Sequence, residues 1–327
     1  MRATLLDTKG RGTEDNPYLI ANAADLQGMQ DLLVDGTTTY FKLTDDIDLE
    51  GKGWYPLNSA YFGNSTECGR DKYVSLDGDG HVISNLTIPA SALEGFEAGF
   101  FANLCGNVTR LGLLNVNLAG SKASATGVLA GALGSDTYEG TTTVSETYCN
   151  GYINADEAAG GIAGTVLGQA SISNCYANAC IEGDAATHGD LVGTTAAPLT
   201  ITYSYGGGAA NGSEAKGIVG EGQGSETQYV LLLGDDNREE LCQTVSAWSL
   251  WCNDGKAGNG YPILQWQADR GDAMGMCGYD EADPDAIDYV TLRPDTTGGH
   301  AYTLGGTVAG KGTRGIVITN GKKVVIK

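Results

Sequence analysis

At 327 residues, with 40 acidic and 19 basic side chains and a formal net charge of −21, the chain can bury a large core but has no basic footprint for DNA, RNA or an anionic membrane. Fifty glycines beside only 18% charged residues describe a turn-dense β protein, and a 41% hydrophobic content argues against disorder. No run of about 20 apolar residues could span a bilayer, and the first residues lack the charged, apolar and small-residue order of a signal peptide, so Met1 is expected to begin a trimmed chain.

Residues 1–50 read as an N-terminal cap followed by a first coil. Asn22 can cap a helix in which Leu26, Met29 and Leu33 share one face, and Gly36 can end it. Such a segment would cover an open strand edge. YFKLTDDIDL then alternates Phe41, Leu43, Ile47 and Leu49 with polar residues, as a strand does. Residues 51–70 are loop-like and carry Trp54, Tyr55, Tyr61 and Phe62. Burial over a core end is the favoured reading, and sugar stacking by Trp54 and Tyr61 is the alternative. In LDGDGHVISNLTI, Asp77, Asp79 and His81 have the chemistry of a metal or acid–base cluster. Asp and Gly are also what a tight turn needs, and that reading is preferred, so no metal is expected.

From Gly99 to Gly222 the chain repeats itself. GVLAG, GGIAG, GDLVG and KGIVG end at Gly131, Gly164, Gly193 and Gly220, at intervals of 33, 29 and 27 residues. VSETYCNGYI, ISNCYANACI and ITYSYGGGAA follow the first three. A period of roughly 20–50 residues marks a stacked repeat protein. The phrases are too short and glycine-rich for helices and read as strands, coil paired on coil at about 4.8 Å, within a solenoid over residues 51–234. Leu129, Ile162, Leu191 and Ile218 should form one buried column, and Val144, Ile172 and Ile201 another. Tyr148, Tyr176 and Tyr205 each lie four residues beyond the second column, which in an unbroken strand puts a tyrosine ladder on its face. The glycines are expected to turn corners at positive φ.

Residues 235–270 hold Trp248, Trp251 and Trp266 beside Tyr261 and read as a C-terminal cap, with a sugar platform that includes Trp251 as the alternative. Residues 271–288 are an acidic linker. In residues 289–327, two β-branched runs flank Asn320 and Gly321, a hairpin signal. This unit is expected to be separable: truncation after Asp288 should leave the thermal midpoint of the solenoid within a few degrees, and loss of all cooperative melting would make the tail part of the core. The eight cysteines contain no C-x-x-C and have only three histidines to accompany them, which leaves both disulfides and buried free thiols open.

The alternation of GGIAG with ISNCY, preceded by GTEDNPYLIANAADLQGM, LTDDIDL, LDGDGHVISNLTI and GFFANL, resembles the GLUG-motif repeats of surface proteins from gut Bacteroidetes and of some bacterial immunoglobulin-A peptidases. The resemblance covers about the first 270 residues. It departs from the pattern at Asn103 and at Lys216. It implies a right-handed parallel β-helix, all-β apart from an N-terminal cap helix, with a small C-terminal β unit. GIVITNGKKVVIK resembles the type IX sorting segments of secreted Bacteroidetes proteins.

β-Helices serve lyases, glycosidases and adhesins alike, so chemistry has to decide. A lyase acting on uronic acids wants cationic side chains, yet Gly99 to Val230 holds only Arg110, Lys122 and Lys216. Asp156, Glu157, Glu182, Asp184 and Asp190 could supply a hydrolase's carboxylate pair, although acidic turn residues are usually solvated. No GxSxG, HExxH or phosphate-cradling loop is present. The expectation is a secreted or surface-displayed, monomeric adhesin-like protein without cofactor, catalytic residue or nucleic-acid partner. It would bind a glycan or host protein through Trp54, Tyr61 or Trp251 if they are exposed. A carbohydrate-active enzyme and a structural spacer are the alternatives.

Overall fold

The computed structural model describes residues 10–59, 72–88, 97–121, 123–155, 157–182, 187–207, 217–222, 224–231, 238–252, 262–270, 302–303, 315–319 and 322–326. The chain divides into two compact units, Met1–Tyr279 and Asp280–Lys327. The first is a parallel β-solenoid of about four turns. Glu97–Ala98, Ala125–Gly127, Ala158–Gly160 and His188–Gly189 stack into one ladder, and Phe101–Leu104, Ala130–Leu133, Ala163–Val166, Val192–Thr195 and Val219–Glu221 into a second. The third and longest ladder starts at Tyr18–Ile20, one strand earlier than the sequence suggests. It passes through Thr38–Leu43, Tyr73–Ser84 and Gly106–Ser121 to Leu199–Gly206 and Gly224–Leu231.

Both aliphatic columns form as expected. Leu129, Ile162 and Leu191 are fully buried and Ile218 nearly so. The amides of Leu129, Ile162 and Leu191 donate to the carbonyls of Ile162, Leu191 and Ile218. Val144 pairs with Ile172 and Ile172 with Ile201, and the column continues back through Val108 and Leu76 to Phe41. Each such side chain contributes about 1.5–3 kcal/mol of burial. The helix Ala23–Leu32 is capped by the Asn22 side chain, which accepts from the Ala24 and Asp25 amides, and it buries Leu26 and Met29 in the same core.

The repeat glycines differ from expectation. Gly131, Gly164, Gly193 and Gly220 do not have positive φ; a Cβ at each would meet backbone of the neighbouring ladder, for example Ala98 N at 2.5 Å from Gly131 and Thr126 N at 2.3 Å from Gly164. They are glycines because two ladders approach there too closely for a side chain.

Gly36, Gly51, Gly80 and Gly134 do turn corners, at φ from 68 to 79°, but the bend that recurs along the third ladder falls on Asp79, Arg110, Glu146, Asn174 and Tyr203, with φ from 47 to 52°. One such residue at the same place in successive coils breaks the strand and reverses its inside–outside alternation. The tyrosine ladder consequently exists but points away from the aliphatic column. Tyr148 and Tyr176 stack at 5.3 Å and 9°, and Tyr176 and Tyr205 at 5.2 Å and 6°, in a separate cluster with Leu241, Val245, Trp248, Trp251 and Leu264. A second left-handed series, Glu50, Asn85 and Asn115, is tied by side chains: Asn85 donates to Asp48 at 2.7 Å and Asn115 to Asn85 at 2.6 Å.

The tryptophan-rich segment lies along the tyrosine flank, where the sequence suggested cover for the last coil. Trp251 packs against Tyr176 and Tyr205, and Trp266 stacks on Tyr148 at 5.7 Å and donates to the Glu146 carbonyl at 2.9 Å. The Tyr176 hydroxyl bonds the buried Gln267 amide, and Tyr205 donates to the Pro262 carbonyl. At the far end Arg270 reaches Asp46 and the Gly80 carbonyl. The physical reason is the flipped ladder: exposed stacked tyrosines need apolar cover more than a strand edge does.

Cys149, Cys175 and Cys252 are free thiols. Burial pushes the Cys149 thiol well up and that of Cys175 up to about 12, so both are inert members of the core. In the second unit, Gly315–Thr319 and Lys322–Ile326 pair antiparallel with Thr319 opposite Lys322, as the hairpin signal predicts. The acidic segment 271–288 lies outside the described residues.

Candidate functional site

Strands buried on one side offer the other to solvent, and in the third ladder that outer face has two regular rows. Asn107, Thr143, Ser171 and Thr200 are neighbours in one, and Thr109, Ser145, Ser173 and Thr202 in the other. They alternate with the buried column because each strand reads polar–aliphatic–polar: NVT, TVS, SIS, TIT. Thr143 donates to Asn107 at 2.7 Å and Ser145 to Thr109 at 2.9 Å. The bend residues border this face.

Toward the N-terminal coils the border is charged and fully paired. Arg110 bridges Asp77 at 2.7 Å and Asp79 at 2.9 Å, and Lys42 holds Asp79 at 2.9 Å. Burial alone would raise the Asp79 carboxyl, but Lys42 and Arg110 outweigh it and hold the pKa below the ordinary value. Burial likewise opposes the Arg110 charge, and Asp77 and Asp79 overcome it and raise its pKa. Asp46 is also lowered, its partial burial outweighed by Arg270, the Val82 amide and His81, whose Nδ1 lies 3.1 Å away. The cluster around Asp77, Asp79 and His81 is thus an ion-pair stitch between coils. Among the described residues no group of three or more His, Cys, Asp or Glu is arranged to hold a metal.

At the other end the border changes to Asn174 and Tyr203. Tyr203 has φ 51°, is 38% exposed, and meets Trp248 edge-on at 5.6 Å. Leu250, on the Trp248 segment, is also 38% exposed.

The aromatic residues singled out from sequence are used differently. Trp54 is buried, stacked on Phe100 at 5.2 Å, with its Nε1 donating to the Phe100 carbonyl at 3.0 Å. Trp251 is buried within the tyrosine cluster, and Tyr61 lies outside the described residues. Neither tryptophan offers a ring to a ligand. Tyr203 went unnoticed because its ladder mates are Asp, Arg, Glu and Asn; the repeated NVT, TVS, SIS, TIT phrase was the available signal.

Of the candidate carboxylates, Asp156 and Asp184 lie outside the described residues and Glu157 is exposed. Glu182 accepts from the Tyr152 hydroxyl, whose pKa burial and that bond push up to about 12. Asp190 is 3% exposed, its Oδ2 has no partner, and burial pushes its pKa up to about 7. It occupies the corner position filled by Gly161 in the preceding coil, whose amide bonds the Asp190 carbonyl. No helix among the described residues is long and apolar enough to cross a membrane.

No protein-family model matches the chain. In an alignment that covers 48% of its length it is 30% identical to halomucin of Haloquadratum walsbyi, and the match spans 2% of that protein. A solved structure from Bacteroides ovatus, provisionally named an immunoglobulin A1 protease, superposes with a TM-score of 0.54 at 23% identity, over 79% of this chain and 94% of that one. What the chain shares with the Bacteroides ovatus protein is the fold, a parallel β-solenoid.

Proposed function

We propose that the chain is a secreted or surface-displayed member of the GLUG-motif repeat proteins that binds a neutral glycan without cleaving it. The carrying observation is Tyr203. Of the five residues at the recurrent bend it alone carries an aromatic ring, held edge-on by Trp248 and 38% exposed to solvent. An aromatic face is the usual platform for the C–H face of a pyranose. The similarity to halomucin, and to a protein named for an antibody found outside cells, supports an extracellular place. The net charge of −21 supports a neutral rather than an anionic ligand. Asp77 and Asp79 are ion-paired, Glu182 is hydrogen-bonded and Asp190 is buried, which favours binding over hydrolysis.

Affinity electrophoresis through gels containing neutral polysaccharides tests this. The chain should be retarded, and Tyr203→Asn should lose about tenfold in affinity, about 1.4 kcal/mol. Its melting temperature should be unchanged or higher, because Asn tolerates the left-handed backbone, as Asn174 does one coil earlier. No retardation by any neutral polysaccharide would leave the spacer reading. Release of reducing ends that disappears in Asp184→Asn or Asp190→Asn would make the protein a hydrolase.

A further inference from the structure

Granting that glycan-binding reading, we infer that the ligand is an extended, β-linked neutral chain laid along the solenoid axis, over the two polar ladders and against the Tyr203 ring. Successive members of each ladder are about 4.8 Å apart, close to the rise of one pyranose ring in an extended β-linked chain, so each sugar falls over one coil. The two ladders are separated by two residues of strand, about 6.7 Å, the scale of a sugar ring with its hydroxyls.

Charge and hydrogen bonding give the site its extent and its polarity. From Asn107 and Thr109 to Thr200 and Thr202 the rows carry no ionisable side chain, in a protein of net charge −21. Beyond them, Asp77, Asp79, Arg110 and Lys42 close the surface with ion pairs that a neutral sugar has no charge to displace. At the Asn107 end the side chains bond one another, whereas Ser171, Ser173, Thr200 and Thr202 make no side-chain hydrogen bond to any described residue. Free hydroxyls therefore lie on the coils nearest Tyr203. They can each donate and accept, as sugar hydroxyls require. Asp77 ends the second row beyond Thr109, and at the other end Ser225 and Gln228 pair with Thr200 and Thr202, so both rows stay neutral over five coils and accommodate about five sugars.

Isothermal titration of the full chain with a ladder of β-1,4-linked gluco-, manno- and xylo-oligosaccharides tests the inference. For at least one series, affinity should rise about tenfold from disaccharide to pentasaccharide and then level off. The double variant Ser171→Val/Thr200→Val, whose β-branched replacements suit a strand, should weaken binding and reduce the gain with length while leaving the melting temperature unchanged. Length-independent binding, equal binding of α-linked chains, or an undiminished gain in the double variant would each overturn the axial site while leaving Tyr203-dependent binding in place. Absence of Tyr203-dependent binding to every glycan would overturn both readings.

Discussion

Ile162→Asp is expected to abolish cooperative unfolding of the solenoid. Ile162 is fully buried, its amide and carbonyl are tied to the coils on either side, and its column belongs to one continuous core that runs from Ile20 to Ile218. An unpaired carboxylate there costs several kcal/mol against a total of roughly 5–15. In a solenoid the damage also passes to both neighbouring coils, because each is held only by those beside it. Gln169→Asp, at an exposed position seven residues on, is the control and should melt like the parent protein. A circular-dichroism melt decides, and an unchanged midpoint for Ile162→Asp would mean that the column has been assigned wrongly.

Asp190→Asn should act in the opposite direction, and only above mildly acidic pH. The Asp190 carboxyl is buried against Gly206, and its pKa rises from 3.8 to about 7 because burial penalises the charge. Between about pH 4 and pH 7 the unfolded chain has released this proton while the folded chain still holds it. Stability therefore falls as pH rises through that window and levels off above it. A shift of about three units corresponds to about 4 kcal/mol. Asp46 and Asp79 have the opposite sign: their pKa values are lowered, so the stability they contribute is present above 3.8 and lost on acidification. The parent protein should then be most stable near pH 4, and Asp190→Asn should exceed it at pH 8 by up to about 4 kcal/mol while matching it more closely at pH 4. Urea unfolding at the two pH values reads this directly. Equal midpoints for both proteins at pH 8 would show that Asp190 ionises without penalty.

Much of the architecture was legible in residue spacing. The recurrence of Leu129, Ile162, Leu191 and Ile218, and of Val144, Ile172 and Ile201, specifies the register of the stacked coils, since a slip of one residue would turn each column outward. Asn22, Leu26 and Met29 specify the helix, and the β-branched runs around Asn320 and Gly321 specify the paired strands of the second unit. These are local patterns, and local chemistry suffices for them. The left-handed bend is different. It falls on Asp79, Arg110, Glu146, Asn174 and Tyr203, five residue types with no shared signature, because stacking on the coil below imposes the conformation whatever the side chain. That bend decides that Tyr148, Tyr176 and Tyr205 leave the core, that Trp251 and Trp266 lie along the flank to cover them, and that Tyr203 stands beside the hydroxyl rows. The repeat glycines follow the same division: their period is written in the chain, but the reason for them, a ladder too close to admit a Cβ, exists only once the coils are stacked.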